Sequence, residues 1–192
     1  MAILNPIAGA RLALVVVMRM LVLLGMIVPE GAQGQTADEY QVKAAYMYNL
    51  AKFVDWPPGA FVSPSQPIVF CVLGQTPLSR ALEDALAGKV VGQRPLGFRQ
   101  LSDSNQAGAC KVLFISAPDT KHLRQILDQV KPLHLLTVGE SEDFAEQGGI
   151  ARFFLDAGRV RLEFNLDAAD EAKLHVSSKL LSLGKIMSRA AK

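Results

Sequence analysis

Three short apolar runs constrain this chain more than any other feature. They are Ile68–Leu73, Lys111–Ala117 and Leu133–Val138. Each is nearly continuous rather than alternating, and each is too short for a helix with only one buried face. Runs of this kind are strands covered on both sides, as in a parallel sheet flanked by helices. Helix signals separate them. After Gly74, Thr76-Pro77 opens a helix through Ala87, with Gly88 just past its end. Pro118-Asp119 starts another, to about Val130. Ser141–Gln147 reads as a short helix stopped by Gly148-Gly149. Strands alternating with helices predict an α/β fold: a single three-layer domain with a mostly parallel sheet.

The flanks add smaller elements. Thr36-Ala37-Asp38-Glu39 has the form of a capping box. Behind it, Val42, Tyr46, Leu50 and Phe53 predict an amphipathic N-terminal helix that ends at Trp56-Pro57-Pro58-Gly59. Val90-Val91 and Leu96–Leu101 read as a more polar strand or ribbon, broken by Pro95. Ile150–Leu155 and Val160–Leu166 flank Asp156-Ala157-Gly158-Arg159, which predicts a C-terminal β-hairpin. Asp167–Leu174 reads as a short helix. Ser177 or Ser178 caps a last helix, with Leu180, Leu181, Gly184 and Met187 on one face.

Residues 1–34 have a different character. Leu12 to Val28 is almost wholly apolar, interrupted by Arg19 and Gly25, and Ala32-Gln33-Gly34 follows a break at Pro29. A basic start, a short apolar core and a small-x-small end describe a signal peptide cleaved after Gly34. Arg19 is costly in the middle of such a core. A start at Met18 removes the conflict, because Arg19 then belongs to the charged leading region. The alternative is an uncleaved anchor, but the core falls short of the ~20 apolar residues that a span needs. The chain thus divides into 1–34, a signal peptide, and 35–192, one exported domain.

Composition excludes several classes. Of 192 residues, half are hydrophobic and 20% charged, with a net charge of +2. That is too apolar for disorder and too near neutrality for a dedicated nucleic-acid binder. Two cysteines cannot build a four-cysteine zinc site. No nucleophile elbow, His-Glu-x-x-His pair, Walker loop or dinucleotide fingerprint is present. His122, His134 and His175 do not cluster, so neither metal nor cofactor is expected. Glu83-Asp84, Glu142-Asp143 and Asp170-Glu171 read as solvated faces. Cys71 lies in the first buried strand and Cys110 just before the second. In an exported protein such a pair reads as one disulfide, two free buried thiols being the alternative.

Six segments in order resemble the YfiR family of exported bacterial proteins. They are Glu39–Pro57, Cys71–Gly74, Cys110–Ser116, Leu136–Gly139 with Phe144–Gly149, Val160–Asn165 and Ser177–Leu181. The resemblance implies a non-catalytic periplasmic repressor, the middle part of a three-part system. It would bind the periplasmic sensor domain of an inner-membrane diguanylate cyclase and hold cyclic-di-GMP synthesis, and with it biofilm formation, down. An outer-membrane lipoprotein would sequester it. The resemblance also implies a homodimer, a small ligand in some members, and a core disulfide at Cys71 and Cys110. A second disulfide found in some members has no cysteines here.

Two hypotheses follow. In the first, the protein acts only by contact and favours the inactive state of its partner. Its expected surface is Trp56 at the end of the N-terminal helix, with Arg161 and Glu163 on one face of the hairpin. An ordinary surface ion pair is the alternative for the last two. In the second, it is a periplasmic small-molecule sensor acting on another membrane sensor, such as a histidine kinase. Its ligand would enter at the carboxyl ends of the strands, beside Gly74 and Gly139. An unrecognised hydrolase is a distant third.

Overall fold

The computed structural model describes residues 31–116 and 120–187. The expected signal peptide, apart from Gly31–Gly34, and the expected helix start at Pro118-Asp119 lie outside them. The unit described below begins at Ala37. Among the described residues no helix is long and apolar enough to cross a membrane.

Its core is a mixed sheet. The strands are β1 (Val54–Asp55), β2 (Ile68–Leu73), β3 (Val90–Val91), β4 (Arg94–Leu101), β5 (Val112–Ile115), β6 (Leu136–Gly139), β7 (Ala151–Asp156), β8 (Arg159–Phe164), β9 (His175–Val176) and β10 (Gly184–Ile186). The helices are α1 (Gly31–Phe53), α2 (Leu78–Leu86), α3 (Thr120–Val130), α4 (Leu166–Glu171) and α5 (Ser178–Leu181). Eight strands form the main sheet in the order β10-β8-β7-β6-β5-β2-β4-β3. Its centre, from β4 to β7, is parallel. The pairs β7–β8 and β3–β4 are antiparallel. β1 and β9 pair separately.

Strand alternation divides the apolar residues into two layers. Ile68, Phe70 and Val72 of β2, with Val112, Phe114, Leu136 and Val138, face α1, α2 and α4. Cys71 and Leu73, with Leu113 and Ile115, face α3 and the turn before β5. Side chains at successive strand positions point to opposite faces, so one continuous apolar run serves both layers. The predicted three-layer α/β fold is the one observed.

Local expectations differ in instructive ways. Thr36 lies inside α1 and not at its N-cap, so its amide neighbours already have helical partners. The buried face of α1 is Lys43, Ala44, Met47, Leu50 and Ala51, rotated from the predicted stripe; Val42 is exposed and Tyr46 and Phe53 are half-buried. The small side chains of Ala44 and Ala51 let the helix approach the core, and Lys43 tolerates burial because it is paired. Ser141–Gln147 is a series of turns wrapped around Phe144 rather than a helix. The strand predicted from Leu133 begins at Leu136. His134 ends a 3-10 turn in the left-handed conformation. Pro95 does not break β4, because it lies opposite Val90 next to the sheet's edge.

The C-terminus departs most. The last helix is only Ser178–Leu181, and Gly184–Ile186 becomes strand β10, parallel to β8. A Cβ on Gly184 would sit 2.7 Å from the Leu162 carbonyl oxygen. Glycine permits this approach, and the added strand supplies partners that β8 would otherwise lack.

Candidate functional site

The connections around β2 and β5 define one distinctive place. From β2 the chain passes through α2 to β4 on one side, then returns to β5 on the other. The order therefore reverses between β2 and β5. Above their carboxyl ends such a reversal leaves a crevice, where open α/β sheets hold ligands. A cavity of about 240 Å³ occupies that position, lined by Tyr40, Gln75, Thr76, Ser116, Glu140 and Ser141 among others.

Gly74 precedes the cavity's lining residues Gln75 and Thr76 and sets the turn that carries them. Its φ is +90°, and a Cβ there would meet the Ser116 carbonyl oxygen at 2.6 Å. The side-chain amide of Gln100 donates to the Gly74 carbonyl at 2.5 Å and fixes the turn. Gly139 has a different task from the one expected. A Cβ there would run into the Phe144 ring at 2.3 Å, and the ring also lies against Gly149. Gly139 makes room for core packing and does not face a ligand.

Lys43 ties the crevice to α1. Its ammonium lies 2.8 Å from Glu140 and 2.5 Å from Glu39, while the residue is only 3% exposed. Burial works against the charge, but the hydrogen bonds and charges of Glu140 and Glu39 outweigh it. They hold the Lys43 pKa above the usual lysine value. The Tyr40 ring lies 4.9 Å from the same ammonium. A second cleft, of about 530 Å³, runs from Glu39, Lys43 and Glu140 to Arg152, Phe154 and Leu155. Neither Lys43 nor Glu140 was singled out from the sequence. A lysine inside a helix reads as surface, and its partner lies 97 positions away.

The two expected cysteines form a disulfide, with Cα atoms 5.9 Å apart. Both are fully buried and pack among Leu73, Leu113 and Leu123. Among the described residues no group of three or more His, Cys, Asp and Glu is placed to hold a metal ion. His122, His134 and His175 lie on three separate elements.

The expected contact residues are not brought together. Trp56 is half-buried and stacks edge-on against Phe61, ring centroids 5.9 Å apart. Phe61 is in turn capped by Arg94 at 3.7 Å and flanked by Lys111 at 5.3 Å. Burial pushes the Lys111 ammonium below the usual lysine value. Trp56 belongs to the layer that contains Leu162 and Phe164. Arg161 and Glu163 alternate with those residues and lie on the opposite face. Nor do Arg161 and Glu163 pair with each other. Glu163 accepts from Arg152 at 2.7 Å, directly across the hairpin, and Arg161 stands opposite Phe154.

The hairpin itself is as expected. Ala157 and Gly158 both have positive φ, the requirement of a tight two-residue turn. Beyond β6 it projects past the sheet, and Phe153 packs on Tyr46 of α1 with centroids 6.1 Å apart.

Comparison with known proteins adds the context. A family model described as YfiR/HmsC-like matches residues 40–185. No curated protein sequence matches significantly. Among solved structures, a conserved domain protein from Vibrio cholerae O1 biovar El Tor superposes with a TM-score of 0.52 at 11% identity, over 77% of this chain and 59% of that one. The ABC domain from Streptococcus pneumonia, solved in complex with L-Trp, gives 0.50 at 10% identity, over 78% and 60%. This chain thus corresponds to about 60% of the length of these structures. At such identities the likeness concerns the fold alone.

Proposed function

The chain belongs to the YfiR/HmsC-like family, and from that membership we propose that it is a periplasmic, non-catalytic regulator of cyclic-di-GMP signalling. More specifically, it binds the periplasmic sensor domain of an inner-membrane diguanylate cyclase and holds the enzyme inactive. Residues 1–34 serve as the export signal. An outer-membrane lipoprotein relieves the inhibition by sequestration, and the repressor works as a homodimer. The observation that carries this reading is the family match across nearly all of the domain. The buried disulfide supports it, since structural disulfides persist in oxidising compartments.

Inhibition by contact requires tighter binding to the inactive sensor conformation than to the active one. The surfaces proposed for that contact are Trp56 and the strand face of Arg161 and Glu163. They lie on different sides of the sheet, so one partner domain does not engage both through a single flat patch. Cyclase activity in membranes carrying the enzyme, with and without purified protein on the periplasmic side, tests the reading. Saturable inhibition is expected. Full activity at saturating protein would count against it.

A second reading has one observation in its favour. The cavity at the strand reversal lies where open α/β sheets bind ligands, and several polar side chains converge on it. In that case the protein reports a metabolite to another membrane sensor, such as a histidine kinase. A saturable rise in melting temperature with one metabolite would support this version.

A further inference from the structure

One part of the sheet lies beyond the apolar layer under α3. At the β7–β8–β10 end, the side of the sheet opposite α1 carries Arg152, Phe154, Asp156, Arg159, Arg161, Glu163 and Lys185, with Asp156 directly across from Arg159. No residue of these strands belongs to the apolar cluster under α3. That layer stops short of this patch, and Arg152 and Phe154 instead line a cleft with Glu140 and Glu142. A solvated sheet face is ordinarily polar. This one carries a half-buried phenylalanine between two cations. Arg152 lies 5.1 Å and Lys185 5.0 Å from the centre of the Phe154 ring.

Charge on the patch is unbalanced. Glu163 is neutralised by Arg152. The side chain of Arg161 is exposed and, among the described residues, has no hydrogen-bond or ion-pair partner; the Lys185 ammonium likewise has no ion pair there and lies over the ring. Two cations thus flank an aromatic surface without an ion-pair partner among the described residues, and with Glu163 held by Arg152 and Asp156 set across from Arg159 the face keeps a positive excess. A second copy of this chain is a poor occupant, because it would bring the same excess of positive charge.

We propose that this face is where the protein grips its regulatory partner, and that the partner presents an acidic, partly apolar extended segment. Carboxylates of the segment meet Arg161 and Lys185, and an apolar side chain between them lies on Phe154. Arginine at such a place gives planar, two-pronged recognition of a carboxylate. This inference rests on the contact mechanism proposed above and specifies the side and the chemistry of the contact. It concerns the hairpin face alone, Trp56 lying on the other side of the sheet.

The test uses the exported protein in two arms. In the first, amide NMR spectra follow titration with a short peptide alternating glutamate and valine. Shifts are expected at Arg152–Phe154, Arg161–Glu163 and Lys185, fading at high salt because the attraction is screened. In the Arg161→Glu, Lys185→Glu double variant the apparent affinity should fall by roughly tenfold or more. No shifts, or shifts mapping elsewhere, would overturn the proposal. So would equal binding of inorganic phosphate or of phosphatidylglycerol vesicles, which would make the face a general anion site. The second arm restores the wild type or the double variant to a deletion strain and measures cyclic-di-GMP. If the wild type represses and a folded double variant does not, the face is the partner contact. If both repress, the regulator reading stands and this surface is wrong. If neither does, the regulator reading itself fails, and the peptide arm alone decides what the face binds.

Discussion

The ammonium of Lys43 lies 2.8 Å from the carboxylate of Glu140, joining helix α1 to the end of strand β6 across 97 positions of sequence. Glu39, one helical turn earlier, closes on the same ammonium. This ion triad decides which face of α1 turns inward and how the helix sits beside the strand-end crevice.

Removing its centre should therefore cost more than removing one arm. Lys43→Ala is expected to lower stability by about 2–4 kcal/mol, since two carboxylates then lose their shared cation. Glu140→Gln should cost about 1–2 kcal/mol, because Glu39 remains. Denaturant unfolding of the two single variants and the double should show non-additivity. Equal, additive losses would indicate that the pairs contribute independently.

The pH dependence has a definite sign. Lys43 in the folded protein holds its proton more tightly than in the unfolded chain, whose value is 10.5. The stability it contributes is complete below that value and is lost as pH rises through the higher folded value. The difference in melting temperature between wild type and Lys43→Ala should be constant through neutral pH and shrink only in the alkaline range. Lys111 acts oppositely, since burial lowers its pKa. Its charge is a liability at neutral pH, and Lys111→Met should leave the melting temperature unchanged or raise it.

Reducing the disulfide should be costly. Cys71 and Cys110 close a loop of 39 residues' separation, which corresponds to about 4 kcal/mol in the chain-entropy account. The double alanine variant is expected to melt well below the wild type, with repression weakening in parallel. An unchanged melting temperature would remove the bond from the stability of the fold.

Phe144 and Gly139 should behave as one unit. Phe144→Ala is expected to cost about 3–5 kcal/mol by opening a core cavity. Gly139→Ala should destabilise by forcing the ring out of its slot. Combining them should cost less than the sum, because the ring that clashes is gone. A strictly additive double variant would show that Gly139 matters for another reason.

The single tryptophan provides an internal probe. The Trp56 indole N–H is buried with no hydrogen-bond partner among the described residues, and the ring leans on Phe61. Trp56→Phe should therefore preserve stability. If the partner grips only the Arg161 face, fluorescence of Trp56 should stay constant on binding. A marked quench would place Trp56 in the contact.

Much of this architecture was legible in the sequence because buried parallel strands announce themselves as unbroken apolar runs. Ile68–Leu73 is such a run, and its two-sided burial follows directly. The hairpin was equally clear, since Asp156-Ala157-Gly158-Arg159 is turn chemistry between alternating strands. Errors arose where local pattern and tertiary partner disagree. The face of α1 was misplaced because Lys43 is buried between Glu39 and Glu140, and no local window contains Glu140. The last helix was overextended because Leu180, Leu181, Gly184 and Met187 fit a helical period, while the edge of β8 draws Gly184–Ile186 into a strand. Phe144 turned an expected helix into turns by seating itself between Gly139 and Gly149. The alternative reading of Arg161 and Glu163 as a surface ion pair does not hold, because Glu163 pairs with Arg152, its direct cross-strand neighbour. In the candidate site, Gly74 was visible as a turn, but the residues that meet above it come from distant segments.

The most direct measurement is intracellular cyclic-di-GMP in a strain lacking this gene, restored either with the whole chain or with a version lacking residues 1–34. A periplasmic repressor predicts a rise on deletion, reversed by the exported chain and not by the one retained in the cytoplasm. An unchanged level on deletion, with the gene expressed, would contradict repression of a cyclase. Full reversal by the retained chain would contradict action from the periplasmic side.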